Sequence, residues 1–169
     1  MDHPASCACG KCGATTALLD FGYQAPDCIW SLPPAKRSPR NTSDFAELGA
    51  RRFVRGILPI KIQGSADEFR YGLWFEVEPA KFDEIRAVWN DPSYAQLTFA
   101  ATVANAAPPW RDEMLGAKVA CAVRDVNSRP FVAGAHAPWL AALVENGWSQ
   151  DAYRRAVASF APGAPRDNL

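Results

Sequence analysis

The sequence predicts an α+β fold, with a largely antiparallel sheet built from hairpins and packed by a few helices. In residues 69–77, apolar side chains alternate strictly with polar or small ones, which is typical of a strand with one buried face. In residues 79–92, apolar side chains instead recur every three or four positions, which is typical of a helix lying on a core. These neighbouring patterns indicate a sheet with helices packed against it.

The N-terminal part of the chain is irregular by composition. Residues 1–16 hold closely spaced cysteines with little apolar content, and we interpret them as a knuckle-like turn. Residues 17–50 contain apolar side chains but also several prolines, namely Pro26, Pro33, Pro34 and Pro39. Because proline disrupts helices and sheet ladders, we expect an irregular segment laid over the core.

A hairpin follows this segment. Its first strand runs over residues 52–62, where Val54, Leu58 and Ile60 share one face. Gly56 within this strand predicts the close approach of another group. The polar connection 63–68 contains a glycine and suits a loop between two antiparallel strands.

The C-terminal half supplies the helices and a second hairpin. Pro79 suits the first turn of a helix, and Pro92 stops it. Residues 97–106 fit either a strand or a helix, because a short apolar run does not decide between them. The remaining elements are predicted at 116–124 and 129–134 (a hairpin), 139–144 (a short helix) and 150–161 (a helix capped by Ser149).

Length and charge bound the class of protein. The 169 residues suit one domain, which we place at 1–161, followed by a flexible tail at 162–169. Eighteen basic and eighteen acidic side chains cancel, which argues against a general nucleic-acid or membrane-surface binder. No basic segment followed by an apolar one opens the sequence, so we expect a cytoplasmic protein whose cysteines are reduced.

The cysteine cluster is the sharpest motif. Cys9 and Cys12 stand in a C-x-x-C-G pattern, whose tight turn lets two thiolates bind one tetrahedral zinc ion. Cys7 and His3 are the nearest residues that complete four ligands, and Cys28 is a further option. Two alternatives stay open: idle thiols, or a redox pair, which requires a preceding strand and a following helix.

A surface on the first hairpin is the other candidate site. By alternation, Arg55, Trp74 and Glu76 lie on the face away from the core, where an exposed Trp beside charges suits a ligand or partner. Trp110 and Arg129 join this surface if the second hairpin lies alongside. The alternative is that the C-terminal helices cover the face and make Trp74 a core residue.

The motifs lead to three functional hypotheses. The first is a module that binds a protein or small ligand through the surface just described, with a structural zinc at the cysteines. The second is an enzyme with a scattered polar site around Arg55, Glu76 and Arg129, and the third is a mainly structural protein. Signature motifs for serine hydrolases, phosphate-binding loops, dinucleotide binding and zinc proteases are missing from the sequence.

Several short motifs, in order and spacing, resemble the bacterial family of unknown function DUF2199. They are Cys9-x-x-Cys12-Gly13, Pro26-Asp27, Ser31-Leu-Pro33, Phe53-Val-Arg-Gly56, Ile60-Lys-Ile62, Phe69-x-x-Gly-Leu-Trp74, Phe82 and Gly147-Trp-Ser149. The resemblance implies a single cytoplasmic bacterial domain with no established activity. Where the family often has a histidine after the cysteine pair, this chain has Thr16, which weakens a combined cysteine–histidine site.

Overall fold

The structure is a computed structural model that describes residues 6–8, 15–17 and 19–160, with side chains described from Leu19 onward. The predicted tail at 162–169 and most of the predicted knuckle at 1–16 lie outside these ranges. The elements are β1 (Ser6–Ala8), β2 (Thr15–Ala17), β3 (Asp20–Gly22), α1 (Asp27–Trp30), β4 (Phe45–Leu48), β5 (Arg51–Lys61), β6 (Glu68–Val77), α2 (Pro79–Val88), β7 (Thr98–Val103), β8 (Lys118–Ala122), β9 (Phe131–Ala135), α3 (Pro138–Asn146) and α4 (Gln150–Ala158).

Among the described residues, seven strands form one sheet in the order β3-β6-β7-β8-β9-β5-β4. Strand β5 also pairs with β6, so strands β5 to β9 close into a ring, with β4 and β3 attached outside it. The β5–β6 hairpin has a continuous antiparallel register from Arg52↔Val77 to Lys61↔Glu68. The α+β class and this hairpin are therefore confirmed.

The sheet is largely antiparallel, as predicted, but it is mixed, because two of its strand pairs are parallel. Strand β3 runs parallel to β6, and β9 runs parallel to β5 at the pair Ile57↔Phe131. Neither parallel pair joins strands that are consecutive in the chain, so hairpin signals in the sequence do not reveal them. Residues 98–103, which the sequence left open, form a strand between β6 and β8.

The main core fills the inside of the ring and the space beneath the helices. Val54 and Leu58 of β5 and Leu73 and Phe75 of β6 are buried there, as their alternation predicts. Helix α2 contributes Phe82 to the same core. Large fully buried side chains of this kind contribute roughly 1.5–3 kcal/mol each by leaving water.

Both predicted C-terminal helices are present, and Ser149 caps the second as the sequence predicts. Gly147 follows α3 with φ of 70°, a conformation that glycine adopts readily. The Ser149 hydroxyl caps α4 by accepting a hydrogen bond from the Ala152 amide at 3.1 Å.

No helix in the described part of the chain is long and apolar enough to cross a lipid bilayer.

Ring closure depends on Gly56, where a β-carbon would lie 2.6 Å from the Pro130 carbonyl oxygen and 2.7 Å from the Phe75 ring. We expect Gly56→Ala to lower the free energy of unfolding by about 1–3 kcal/mol, because backbone and ring must both move. At Gly134 the added carbon meets only the Ala120 β-carbon at 4.0 Å, so Gly134→Ala should stay within about 0.5 kcal/mol of the parent. Urea denaturation measures both, and equal values for the two variants would contradict this account of closure.

Candidate ligand-binding groove

The candidate site forms where one edge of β5 changes its partner. That edge pairs with β4 from Arg51 to Val54 and then with β9 at Ile57. The Arg55 amide donates to the Asp44 carbonyl at 2.9 Å, and the Ile57 amide donates to the Pro130 carbonyl at 2.8 Å. These two bonds bring the residue before β4 beside the turn before β9.

An ion pair joins the two segments at this junction. Arg129 Nε lies 2.6 Å from Asp44 Oδ1, and the two side chains are 24% and 23% exposed. The Ser43 hydroxyl donates to the second carboxylate oxygen of Asp44 at 2.7 Å. Because the pair is partly withdrawn from water, its attraction is screened less than that of a surface pair.

The ion pair lies in a groove of about 610 Å³. Its walls come from the end of α2, the β8–β9 turn and the outer face of the β5–β6 hairpin. The lining residues are Asp44, Ile57, Arg70, Trp89, Asn90, Val126, Asn127, Ser128 and Arg129. A smaller extension of about 140 Å³ shares Arg70 and Arg129 and continues to Arg124, Glu68 and Phe131.

The charged groups of the groove are mostly paired. Arg70 makes a two-pronged contact with Asp20, with its Nε 2.6 Å from Oδ1 and a terminal nitrogen 2.7 Å from Oδ2. Arg124 lies 3.8 Å from Glu68 and places its guanidinium 4.6 Å from the centre of the Phe131 ring. The lining residues of the groove and its extension comprise three arginines and two carboxylates.

The β8–β9 turn is shaped by its own side chains. The Asp125 carboxylate accepts from the Asn127 amide at 2.8 Å and from the Ser128 hydroxyl at 2.7 Å. The Ser128 hydroxyl and the Asn127 amide hold the pKa of Asp125 below its usual value by stabilising the charged form. This local bonding fixes the conformation of the turn from which Arg129 extends.

Beside the ion pair lies a buried hydroxyl, that of Tyr94. The side chain is 1% exposed, its ring lies 4.9 Å from that of Trp89, and its hydroxyl has no hydrogen-bond partner among the described residues. Burial raises the pKa of Tyr94, and the nearby Asp44 carboxylate raises it further while Arg129 opposes both. Tyr94 does not itself line the groove, and a buried polar group without a partner is uncommon in a folded protein.

Of the two alternatives for Trp74, an exposed anchor or a covered core residue, the structure has the second, since Trp74 is fully buried. The expected cover was the C-terminal helices, but the cover is the segment around α1. The Trp74 indole donates to the Tyr23 carbonyl at 2.9 Å, and its ring packs in a second small core with Ile29 and Phe53. Arg55 is also buried, at 4% exposure.

The three residues of the predicted polar enzyme site do not converge. Glu76 binds Arg51 through two hydrogen bonds of 2.9 and 2.7 Å and lines a different groove, beside Lys118. The bonds from Arg51 hold the pKa of Glu76 below its usual value. Arg129 lies in the groove with Asp44, and Arg55 lies beneath the surface with a terminal nitrogen close to Gly22. Ligand binding at Arg129 stays a prediction that this geometry permits.

The described cysteines do not favour thiol chemistry. Burial raises the pKa of Cys121 to about 12, and burial also raises the pKa of Cys28. Among the residues with described side chains, no group of three or more histidines, cysteines or acids is arranged to hold a metal ion. His3, Cys9 and Cys12 lie outside the described residues, and Cys7 is described only as part of β1.

The sequence analysis names Arg129 as a candidate but not its neighbours Asp44, Tyr94 and Trp89. Asp44 and Arg129 are 85 positions apart, and their meeting depends on ring closure. Tyr94 lies in a short 3-10 turn, Pro92–Gln96, whose start is capped by Asp91. The sequence Asp91-Pro-Ser is a recognisable turn signal, but it does not indicate where the next side chain points.

The fold and groove define a small, mixed-sheet α+β domain with a polar surface groove. Residues 8–139 of the chain match the family DUF2199, described as "Uncharacterized protein conserved in bacteria". The chain therefore belongs to this family, as its motifs predict. Neither the curated proteins nor the solved structures contain a match.

Two buried tyrosines differ in whether their hydroxyl is bonded within the fold, and this difference can be tested. Tyr71 donates to the Pro108 carbonyl at 3.0 Å, whereas the Tyr94 hydroxyl has no partner among the described residues. We expect Tyr71→Phe to lower the free energy of unfolding by about 1–2 kcal/mol and Tyr94→Phe to change it by less than about 0.5 kcal/mol. Urea denaturation of the ligand-free protein measures both, and a large loss in Tyr94→Phe would show that its hydroxyl is already bonded within the fold.

Proposed function

We propose that this protein is a small-molecule-binding domain whose groove takes a ligand carrying a carboxylate or phosphate group. The observation that carries the proposal is the partly buried Arg129–Asp44 pair in a groove of about 610 Å³. Binding sites of small molecules are commonly concave and contain a few convergent polar groups of this kind.

Arg129 supports the choice of an anionic group. Its Nε donates to Asp44, and its two terminal nitrogens make no hydrogen bond to the described residues. A guanidinium presents paired donors in a fixed plane, which match the oxygens of a carboxylate or phosphate. An anion can therefore bind the outer side of Arg129 while the pair with Asp44 stays intact.

The surroundings support a ligand of mixed character. Three arginines and two carboxylates line the groove and its extension, so the lining has a small excess of positive charge. This excess favours an anionic group but is too small to attract every anion strongly. Asn90, Asn127 and Ser128 offer neutral donors and acceptors, and Trp89 and Ile57 offer apolar contact. These groups suit a small metabolite better than a long polyanion.

Titration of the protein with small probes tests this function. Inorganic phosphate or acetate should shift the NMR signals of the Arg129 Nε–H group and of the Asn127 and Ser128 amides. Arg129→Gln should weaken binding about tenfold or more, because it removes a charged donor worth about 1.5–3 kcal/mol.

Arg40→Gln serves as the matched control, since Arg40 is exposed and outside the groove. It should bind both anions as the parent does, and glycerol should shift no groove signal in any variant. Equal anion affinity in the two variants, or no shift at Arg129 with either anion, would refute the proposed site.

We further propose a structural zinc ion bound by Cys7, Cys9, Cys12 and His3. The described strands support it, because β1 and β2 pair antiparallel with Cys7 opposite Thr16 and so bracket the C-x-x-C segment in the chain. A bound zinc would stabilise this hairpin, which is too short to be stable alone.

Metal analysis of protein purified without chelators tests the zinc proposal. We expect about one zinc per chain, lost in the double variant Cys9→Ser, Cys12→Ser. Cys28→Ser is the control and should retain the metal. Less than about a tenth of a zinc ion per parent chain would exclude this structural role.

A further inference from the structure

Three tryptophans form a stack that shares no lining residue with the polar groove. The rings of Trp110 and Trp139 lie 5.5 Å apart with an angle of 27° between their planes. The rings of Trp110 and Trp148 lie 5.7 Å apart with an angle of 17°. Trp139 belongs to the first turn of α3, and Trp148 directly precedes the cap of α4.

These tryptophans line a shallow depression of about 360 Å³, which we call the tryptophan groove. Its other described lining residues are Ala142, Leu143, Asn146 and Gly147, and none of the described lining residues carries a charged side chain. Trp110 and Trp139 remain partly exposed, whereas Trp148 is buried. An uncharged groove walled by aromatic rings is the surface on which proline-rich segments bind.

The described chain reaches the neighbourhood of this groove at Phe160. The Phe160 ring stacks on Phe21 at 4.5 Å and lies 5.7 Å from Phe69. Phe69 in turn lies 5.3 Å from Trp148. The last described residue is therefore separated from the tryptophan groove by a single aromatic ring.

The residues that follow contain a fitting sequence. Pro162-Gly-Ala-Pro165 has the P-x-x-P spacing of segments that bind aromatic grooves in the polyproline II conformation. We propose that this segment of the chain itself binds in the tryptophan groove.

The reach of the segment is sufficient. A polyproline II chain advances about 3.1 Å per residue, so Pro165 can lie about 16 Å beyond Phe160. The ring centres of Phe160, the buried Phe69, the buried Trp148 and Trp110 are separated by successive steps of 5.7, 5.3 and 5.7 Å, which together set an upper limit on the distance from Phe160 to Trp110. Attachment to the same chain also gives the segment a millimolar effective concentration, so a weak contact is enough to keep it bound.

Indole N–H signals in two-dimensional NMR spectra test the proposal. A chain that ends after Ala161 keeps α4 and Phe160, and we expect the signals of Trp110 and Trp139 to shift in it. A synthetic peptide of residues 160–169 should return these signals towards their full-length positions, and a peptide with both prolines replaced by alanine should not. Trp30, exposed and outside the groove, is the internal control and should not shift.

Full-length protein carrying Pro162→Ala and Pro165→Ala should reproduce the shifts of the shortened chain. Unchanged Trp110 and Trp139 signals in both variants would overturn the proposal. Shifts that depend on protein concentration would also overturn it, because they would show that the segment binds a second copy. Phosphate binding at Arg129 should stay the same in all variants, which separates this test from that of the polar groove.

Discussion

The edge of β5 at residues 55–57 is the constraint on which the rest of the structure depends. Along this edge the partner of β5 changes from β4 to β9. The Arg55 amide donates to the Asp44 carbonyl at 2.9 Å, and the Ile57 amide donates to the Pro130 carbonyl at 2.8 Å. Gly56 lies between them and leaves room for the Pro130 carbonyl. The same exchange of partners closes the ring of strands and brings Asp44 to Arg129, so fold and groove share one origin.

A buried hydrogen-bond network around Asn105 holds the segment that covers the outward face of the β5–β6 hairpin. Asn105 is fully buried, accepts a hydrogen bond from the Trp74 amide at 2.8 Å and donates to the Ala25 carbonyl and to an Asp27 carboxylate oxygen. The second oxygen of Asp27 accepts from the Ala106 amide at 2.6 Å. Buried polar groups that are bonded in this way avoid the penalty of desolvation without partners. The network holds the segment around α1 over Trp74, which removes that tryptophan from the surface.

The sequence predicts those parts of the fold that follow from local pattern. Alternation identifies the inward face of β6, and glycine within a strand correctly signals close approach at Gly56. Alternation does not show what covers the outward face, so Trp74 looks exposed until the α1 segment is placed. The meeting of Asp44 with Arg129 depends on a parallel contact between strands far apart in the chain, and local patterns carry no information about it.

Hydrogen exchange at the Ile57 amide tests the central claim most directly. If the bond from Ile57 to the Pro130 carbonyl closes the ring, this amide exchanges only on global unfolding, as slowly as that of Leu58 within the β5–β6 ladder. Fast exchange at Ile57 alongside slow exchange at Leu58 would show that the ring is open in solution. The groove between Asp44 and Arg129 would then lack the support described here.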